Sequence, residues 1–231
     1  MNQEEFIRDN KRVDWIWGTA PLLEYQDLLG QNNSSLLNQK YLRRLNLTDK
    51  VDVIFRNMRH GHRYSIKYAE RHGVEVEIFD SANLNREIWD HFLLAHKTTD
   101  SRRSRPARFW YIAYDCIKQG ESILVGARYK EEWVAFGFIF IYNDRGYYGM
   151  GNVKQQYRHL SPSHLIQWTV IKYLKMKGKK FYDLGTDTPR DEEVGTTGDS
   201  EKEAKIIEFK RGFGGYVSSL DGRKVEFDKS R

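Results

Sequence analysis

Three apolar runs rich in β-branched and aromatic residues follow one another in this chain: "SILVGARY", "WVAFGFIFIY" and "GYYGMGNV". The links between them, "KEE" and "NDRG", carry hairpin-turn chemistry. Three consecutive strands joined by hairpins commit the chain to a mostly antiparallel sheet. What surrounds them is helical. Upstream, "SANLNREIWDHFLLAHKTT" places Leu84, Ile88, Phe92 and Ala95 at helical spacing, and "SRRSRPARFWYIAYDCIKQG" holds a basic loop and then a second helix closing at Gly120. Downstream, "SPSHLIQWTVIKYLKMKG" has a Ser161 cap candidate, Pro162 in the first turn, lysines toward the end and Gly178 as the stop.

Before the first helix, "VEVEIF" alternates strictly and predicts a strand. The stretch "DKVDVIFRNMRHGHRYSIKYAERHG" before it predicts a helix with inner positions Val53, Met58, Ile66 and Ala69, interrupted at Gly61 and ended at Gly73. After Gly178, "KKFYDLG" predicts another strand and "TDTPRDEEVGTTGDSEKEAK" a polar loop; "YVSSLDGRKVEF" predicts a closing hairpin turning at Asp221-Gly222. The order is strand, two helices, three antiparallel strands, helix, strand, short helix, strand pair: an α+β arrangement.

The chain has 231 residues, 39% hydrophobic and 30% charged, enough apolar material for a core. A net charge of +6 favours phosphate-bearing partners such as nucleotides, coenzyme A, nucleic acid or acidic membrane, with a solvated basic surface as the alternative. The single cysteine, Cys116, excludes an internal disulfide and a multi-cysteine zinc site; it is expected to be a buried structural thiol, and no metal is expected. No apolar run approaches the ~18 residues needed to cross a bilayer. The opening "MNQEEFIRDNKRVDW" lacks the basic-then-apolar order of a signal peptide, so the expected location is cytoplasmic.

"LSPSHLIQWTVIKYLKMKGKKFYDLG" followed by "FKRGFGG" resembles the Fem-type branch of the GNAT acyltransferase superfamily, whose members carry a Leu/Trp/Ile-rich helix, then "KG", "YDLG" and "FKxxFGG". "RYSIKYAERHGVEVEI" is similar to the family segment that leads into the opening strand, and the likeness runs from about Arg63 to Phe227. The resemblance implies a GNAT fold, with residues 71–231 as the acyltransferase domain. Residues 1–70 are then an appendage or the remnant of a first GNAT-like domain, with homodimerisation as one way to complete it. Two features depart from the family. Fem enzymes usually carry two tandem domains, and the Gly-rich "Q/R-x-x-G-x-G/A" loop that grips coenzyme A pyrophosphate is replaced by "QQYRHLSPSH".

The implied chemistry is attack of an amine on an activated acyl group. It needs a deprotonated amine, a stabiliser for the developing oxyanion and an anchor for the donor's phosphates. The donor implied is a coenzyme A thioester, with aminoacyl-tRNA as the alternative. The acceptor implied is a nucleotide-linked amino sugar of surface-polysaccharide synthesis or a peptidoglycan precursor, and no stable nucleic-acid partner is expected. A non-catalytic GNAT-like binding module is the reading from another class.

A helix start offers free N–H groups to an anion, so Ser161 and Ser163, with Arg158 and His159 beside them, are the candidate phosphate anchor. Gly149 and Gly151 would let the donor's arm approach the strand, or would ease a bulge. By the resemblance, Lys210 reaches into the donor channel beside Phe209, and Gly212, Gly214 and Gly215 turn the chain beside it. Asp183, Asp187, Glu208, His159 and His164 are the candidates for moving the amine's proton, with a structural hydrogen-bonding role as the alternative for Asp183. For the acceptor, the candidates are Arg59, Arg63 and Lys67, which share a helical face, Arg105 in the basic loop, and Tyr148.

Overall fold

The computed structural model describes residues 41–99, 107–187 and 198–219. They form a seven-stranded sheet in the order β2-β3-β4-β5-β6-β1-β7. The strands are β1 (Tyr41–Asn46), β2 (Val74–Phe79), β3 (Ser122–Tyr129), β4 (Glu132–Tyr142), β5 (Arg145–Val153), β6 (Phe181–Thr186) and β7 (Tyr216–Ser219). The helices are α1 (Val51–Arg56), α2 (His60–Arg71), α3 (Arg86–Thr99), α4 (Ala107–Lys118), α5 (Pro162–Met176) and α6 (Gly198–Arg211), with a 3-10 helix at Gln155–Leu160 leading into α5. Every pairing is antiparallel except β5 with β6.

The meander forms as its turns dictate. Two-residue links, Lys130-Glu131 and Asn143-Asp144, join β3 to β4 and β4 to β5, and each opens on a residue with positive φ (Lys130 +55°, Asn143 +44°). Alternation along the strands then builds two cores. Ile123, Val125, Ala127, Ala135 and Ile139 meet Ile66 and Ala69 of α2 and Leu165, Ile166, Val170 and Ile171 of α5 on one face. On the other, Leu124, Phe136, Phe138 and Phe140 meet Ile88, Trp89 and Phe92 of α3 and Phe109, Ala113 and Ile117 of α4. Each of the larger of these side chains, the Val, Leu, Ile and Phe residues, contributes about 1.5–3 kcal/mol by leaving water. Cys116 is buried on α4, as expected.

Residues 41–70, grouped by sequence with the N-terminal segment, pack inside this architecture. β1 lies between β6 and β7 and pairs with both. The single helix expected over this region is two, and the break falls at Asn57–Arg59, ahead of Gly61. There the Arg59 N–H donates to the Gly212 carbonyl (2.9 Å), and the Arg63 guanidinium donates to the carbonyls of Arg56 and Met58. The elbow is therefore docked on the "GFGG" turn. A Cβ at Gly212 would overlap the His62 ring, and one at Gly215 (φ +74°) would run into the Arg44 carbonyl. The glycine cluster is there because the turn is seated against α2 and β1 with no room for side chains. The closing hairpin at Asp221-Gly222, much of the expected polar loop and residues 1–40 lie outside the described residues.

Candidate active site

The β5–β6 ladder has three pairs, Arg145↔Phe181, Gly146↔Tyr182 and Tyr147↔Asp183. Both strands continue, β5 to Val153 and β6 to Thr186, yet they no longer pair. The sheet therefore splits beyond Tyr147. A bulge accompanies the split: Phe138 pairs with Met150 and Ile139 with Tyr148, leaving Gly149 as the extra residue. Past the bulge, the Lys154 N–H bonds the Val134 carbonyl (2.9 Å), which fixes the alternation of the ladder. By that alternation Gly151 and Val153 turn their backbone N–H and C=O groups away from β4, toward the side that β6 has left. The result is a slot with unpaired peptide groups on one wall.

Lys210, in the last turn of α6, reaches this slot. Its Nζ donates to the Thr186 carbonyl at the end of β6 (3.2 Å). It stands 3.1 Å from where a Cβ at Gly185 would be, and the Tyr147 hydroxyl stands 3.7 Å from the same point. Gly185 (φ +84°) thus supplies both a left-handed bend and the space that the ammonium fills. Tyr147 and Gly185 were not singled out from sequence; the only signal was the glycine ending "FYDLG".

The carboxylates beside the slot are already engaged. Asp183 is fully buried and takes a two-pronged ion pair from the buried Arg44 on β1 (Nε–Oδ1 2.6 Å, Nη2–Oδ2 2.9 Å). It clamps β6 to β1 instead of facing an amine, which corrects its reading as a base. Asp187 is held between Arg43 (2.5 Å) and Arg211 (2.8 Å), and Glu208 between Arg211 (2.9 Å) and Arg59 (2.8 Å). This chain of charges fixes α6, and hence Lys210, against the end of β6.

His164 packs edge-on with His62 (ring centroids 4.7 Å) and Phe209 (5.0 Å), and Phe213 meets the His62 ring at 4.7 Å. His62 Nε2–H donates to the Phe209 carbonyl (2.8 Å), which sets its tautomer. Burial, reinforced by the neighbouring His62, pushes His164 down to about 4, and burial also lowers His62. A group that weakly basic is poorly matched to carrying a proton at neutral pH, and the ring contact of His164 with Phe209 seats α6 on α5. The unfolded chain protonates these histidines near pH 6.5 while the folded chain resists, so stability is full above that pH and falls as pH drops toward 4. His164→Phe, which keeps the ring, is expected to reduce the loss between pH 7 and pH 5 by about 2 kcal/mol in urea titrations. Equal losses in both proteins would contradict this origin.

At the start of α5 the side chain of Ser161 makes no cap hydrogen bond; the residue instead takes a left-handed conformation (φ 57°) that turns the chain from the 3-10 helix into α5. Pro162 occupies the first turn as expected, and Arg158 and His159 are exposed just before it, with Ser161 and Ser163 half-buried. The two strand glycines make room for the protein's own rings. A Cβ at Gly149 would strike Phe140, and one at Gly151 would strike the Tyr148 hydroxyl. Tyr148 faces α5, where Gln167 partners its hydroxyl and burial pushes it up to about 12. Gln167 also accepts from the buried Tyr182 hydroxyl (2.6 Å). This places Tyr148 in the wall behind the slot and removes it from the acceptor side.

The basic face of α2 is likewise occupied. Arg59 pairs with Glu208, Arg63 with the elbow carbonyls, and Lys67 lies over the Phe55 ring (5.8 Å). The grip on an acceptor expected of Arg59 and Arg63 gives way to holding the α1–α2 elbow. Arg105 lies outside the described residues.

A split antiparallel sheet, with a helix starting beyond the end of one splayed strand and a lysine at the slot, defines an acyltransferase architecture. The chain belongs to the acetyltransferase (GNAT) domain family, whose model matches residues 56–202. It is similar in structure to FemX at 15% identity, covering 78% of this chain and 60% of that one (TM-score 0.66). It is also similar to L-PGS from Bacillus licheniformis at 12% identity, covering 78% and 57% (TM-score 0.58). A third likeness is to the C-terminal domain of a putative lysylphosphatidylglycerol synthetase from Agrobacterium fabrum, at 11%, covering 78% and 58% (TM-score 0.53). The chain spans about three fifths of each of these, and at such identities the likeness is one of fold. No curated protein matches it. Among the described residues no helix is long and apolar enough to cross a membrane.

Proposed function

We propose that this acyltransferase moves an acyl group from a coenzyme A thioester to a primary amine on a cell-surface precursor. A nucleotide-linked amino sugar is the first acceptor to test. The observation that carries the reading is the slot itself: unpaired peptide groups of Gly151 and Val153 along one wall and the Lys210 ammonium at the end of β6. The extended amide-bearing arm of the donor would pair with those peptide groups. The start of α5, flanked by Arg158 and His159, would receive its phosphates through free N–H groups and the helix dipole. Lys210 would neutralise charge on the tetrahedral intermediate. With Asp183 locked and His164 a weak base, the amine's proton leaves to water or to the departing thiolate.

A second reading, transfer from aminoacyl-tRNA to a peptidoglycan precursor in the cytoplasm, draws on the likeness to FemX. The two separate on the donor. Saturating acetyl-coenzyme A at about 100 Kd is expected to raise the melting temperature by roughly 5–10 °C. Mass spectrometry after incubation with acyl thioesters and amino-sugar nucleotides is expected to show a new amide. Absence of both the shift and the product, with transfer from charged tRNA instead, would decide for the second reading.

A further inference from the structure

Asn152 on β5 has a side-chain amide whose nitrogen and oxygen are both cut off from solvent and both without a hydrogen-bond partner. Among the described residues it is the one side chain with two polar atoms left unmet. A buried amide in that state costs stability that an apolar residue of similar size would not, so a strand interior has no structural reason to keep it. Its position supplies one. Asn152 stands on the length of β5 beyond the split, between Gly151 and Val153, whose backbone groups open onto the slot. It pairs with Phe136, so it shares the sheet face covered by α3 and α4, opposite the α5 face that holds Tyr148.

We infer that Asn152 reads an amide group on the acceptor, and so sets which amines this enzyme accepts. The inference rests on the acyl-transfer reading above. A primary carboxamide presents a donor and an acceptor side by side and matches a peptide-type amide with two hydrogen bonds. The residue as a whole is only half-buried, and its amide has no hydrogen bond to lose. A change of χ1 rotamer can therefore turn the amide toward a ligand without breaking a hydrogen bond. The parallel register puts Gly185, and with it the Lys210 ammonium, level with Gly149, three residues short of Asn152. At the rise of a strand that separation is roughly 10 Å. The acceptor carries its amide two or three peptide-length units from the amine that reacts.

The test uses the full chain with acetyl-coenzyme A and a ladder of amines: glycinamide, diglycinamide, triglycinamide and tetraglycinamide. Release of coenzyme A thiol gives kcat/KM for each. In the wild type kcat/KM is expected to climb about 10-fold or more at the second or third member. In Asn152→Leu that climb is expected to vanish while the melting temperature holds or rises. Taking the wild-type-to-variant ratio at each length cancels the intrinsic reactivity of each amine. A structural role would instead lower every length by one common factor and reduce the melting temperature. Such a result overturns the proposal, as does a wild type indifferent to length. If Asn152→Leu folds poorly, Asn152→Ala gives the same comparison. Thiol release that ignores amide length defeats this inference alone. Failure of acetyl-coenzyme A either to shift the melting temperature or to release thiol defeats the acyl-transfer reading beneath it.

Discussion

Replacing Lys210 with alanine is expected to lower turnover about 10²-fold, the loss typical of removing one charge that stabilises a transition state. The ammonium lies against Gly185, close to the Tyr147 hydroxyl, where the two strands have parted. A charge fixed there needs no rearrangement as the oxyanion forms. The kinetic split tells which task it performs. If Lys210 acts only on the tetrahedral intermediate, kcat and kcat/KM fall together and KM stays put. If it grips a donor phosphate, KM for the thioester rises with kcat nearly unchanged. Lys210→Met keeps the apolar stem and guards against a packing effect. Wild-type kcat together with wild-type KM in either variant would remove Lys210 from the mechanism.

Asp183→Ala is expected to destabilise the protein by about 3–5 kcal/mol in urea unfolding, because it strands the buried Arg44, 3% exposed as a residue, without its counter-charge. Replacing both partners with apolar residues, Arg44→Met with Asp183→Leu, is expected to recover most of that loss, since a buried pair costs nearly as much to desolvate as it returns. The contrast with catalysis is direct. A general base would lose activity in Asp183→Asn with little change in stability. A clamp loses stability first, and the slot widens as β6 loosens from β1. Undiminished stability in Asp183→Ala would reverse the assignment made from the geometry.

The parts of this molecule legible in the sequence were those whose cause is local. Turn chemistry marked the meander, and Pro162 and Gly178 bracketed α5. The "FKRGFGG" match brought Lys210 to the slot. What stayed hidden depends on distant partners. β1, "YLRRLN", is a poor strand by alternation because two arginines stand side by side in it, Arg44 buried and Arg43 half-buried, each held by a carboxylate. Those carboxylates, Asp187 and Asp183, lie 144 and 139 residues further on. Arg59 looked like a phosphate grip for the same reason, its partner Glu208 lying 149 residues further on. Arg63 is taken up locally, because the chain bends between α1 and α2 and turns the Arg56 and Met58 carbonyls toward its guanidinium. Ser161 misled differently, since its type suits a cap while its conformation precludes one. Gly149 and Gly151 carried a true signal of crowding, but the crowding comes from Phe140 and Tyr148.

The placement of β1 between β6 and β7 has a consequence for how the chain emerges from the ribosome. Its ion-pair partner, Asp183 opposite Arg44, is made 139 residues later, on the order of ten seconds at ordinary translation speeds. Through that interval the nascent strand holds two arginines and two leucines with no neighbouring strand to pair against, while the β2–β5 half gains all its strands. Completion of the sheet is thus a late, long-range closure, the kind of step that slows folding and leaves an unmatched strand open to wrong partners.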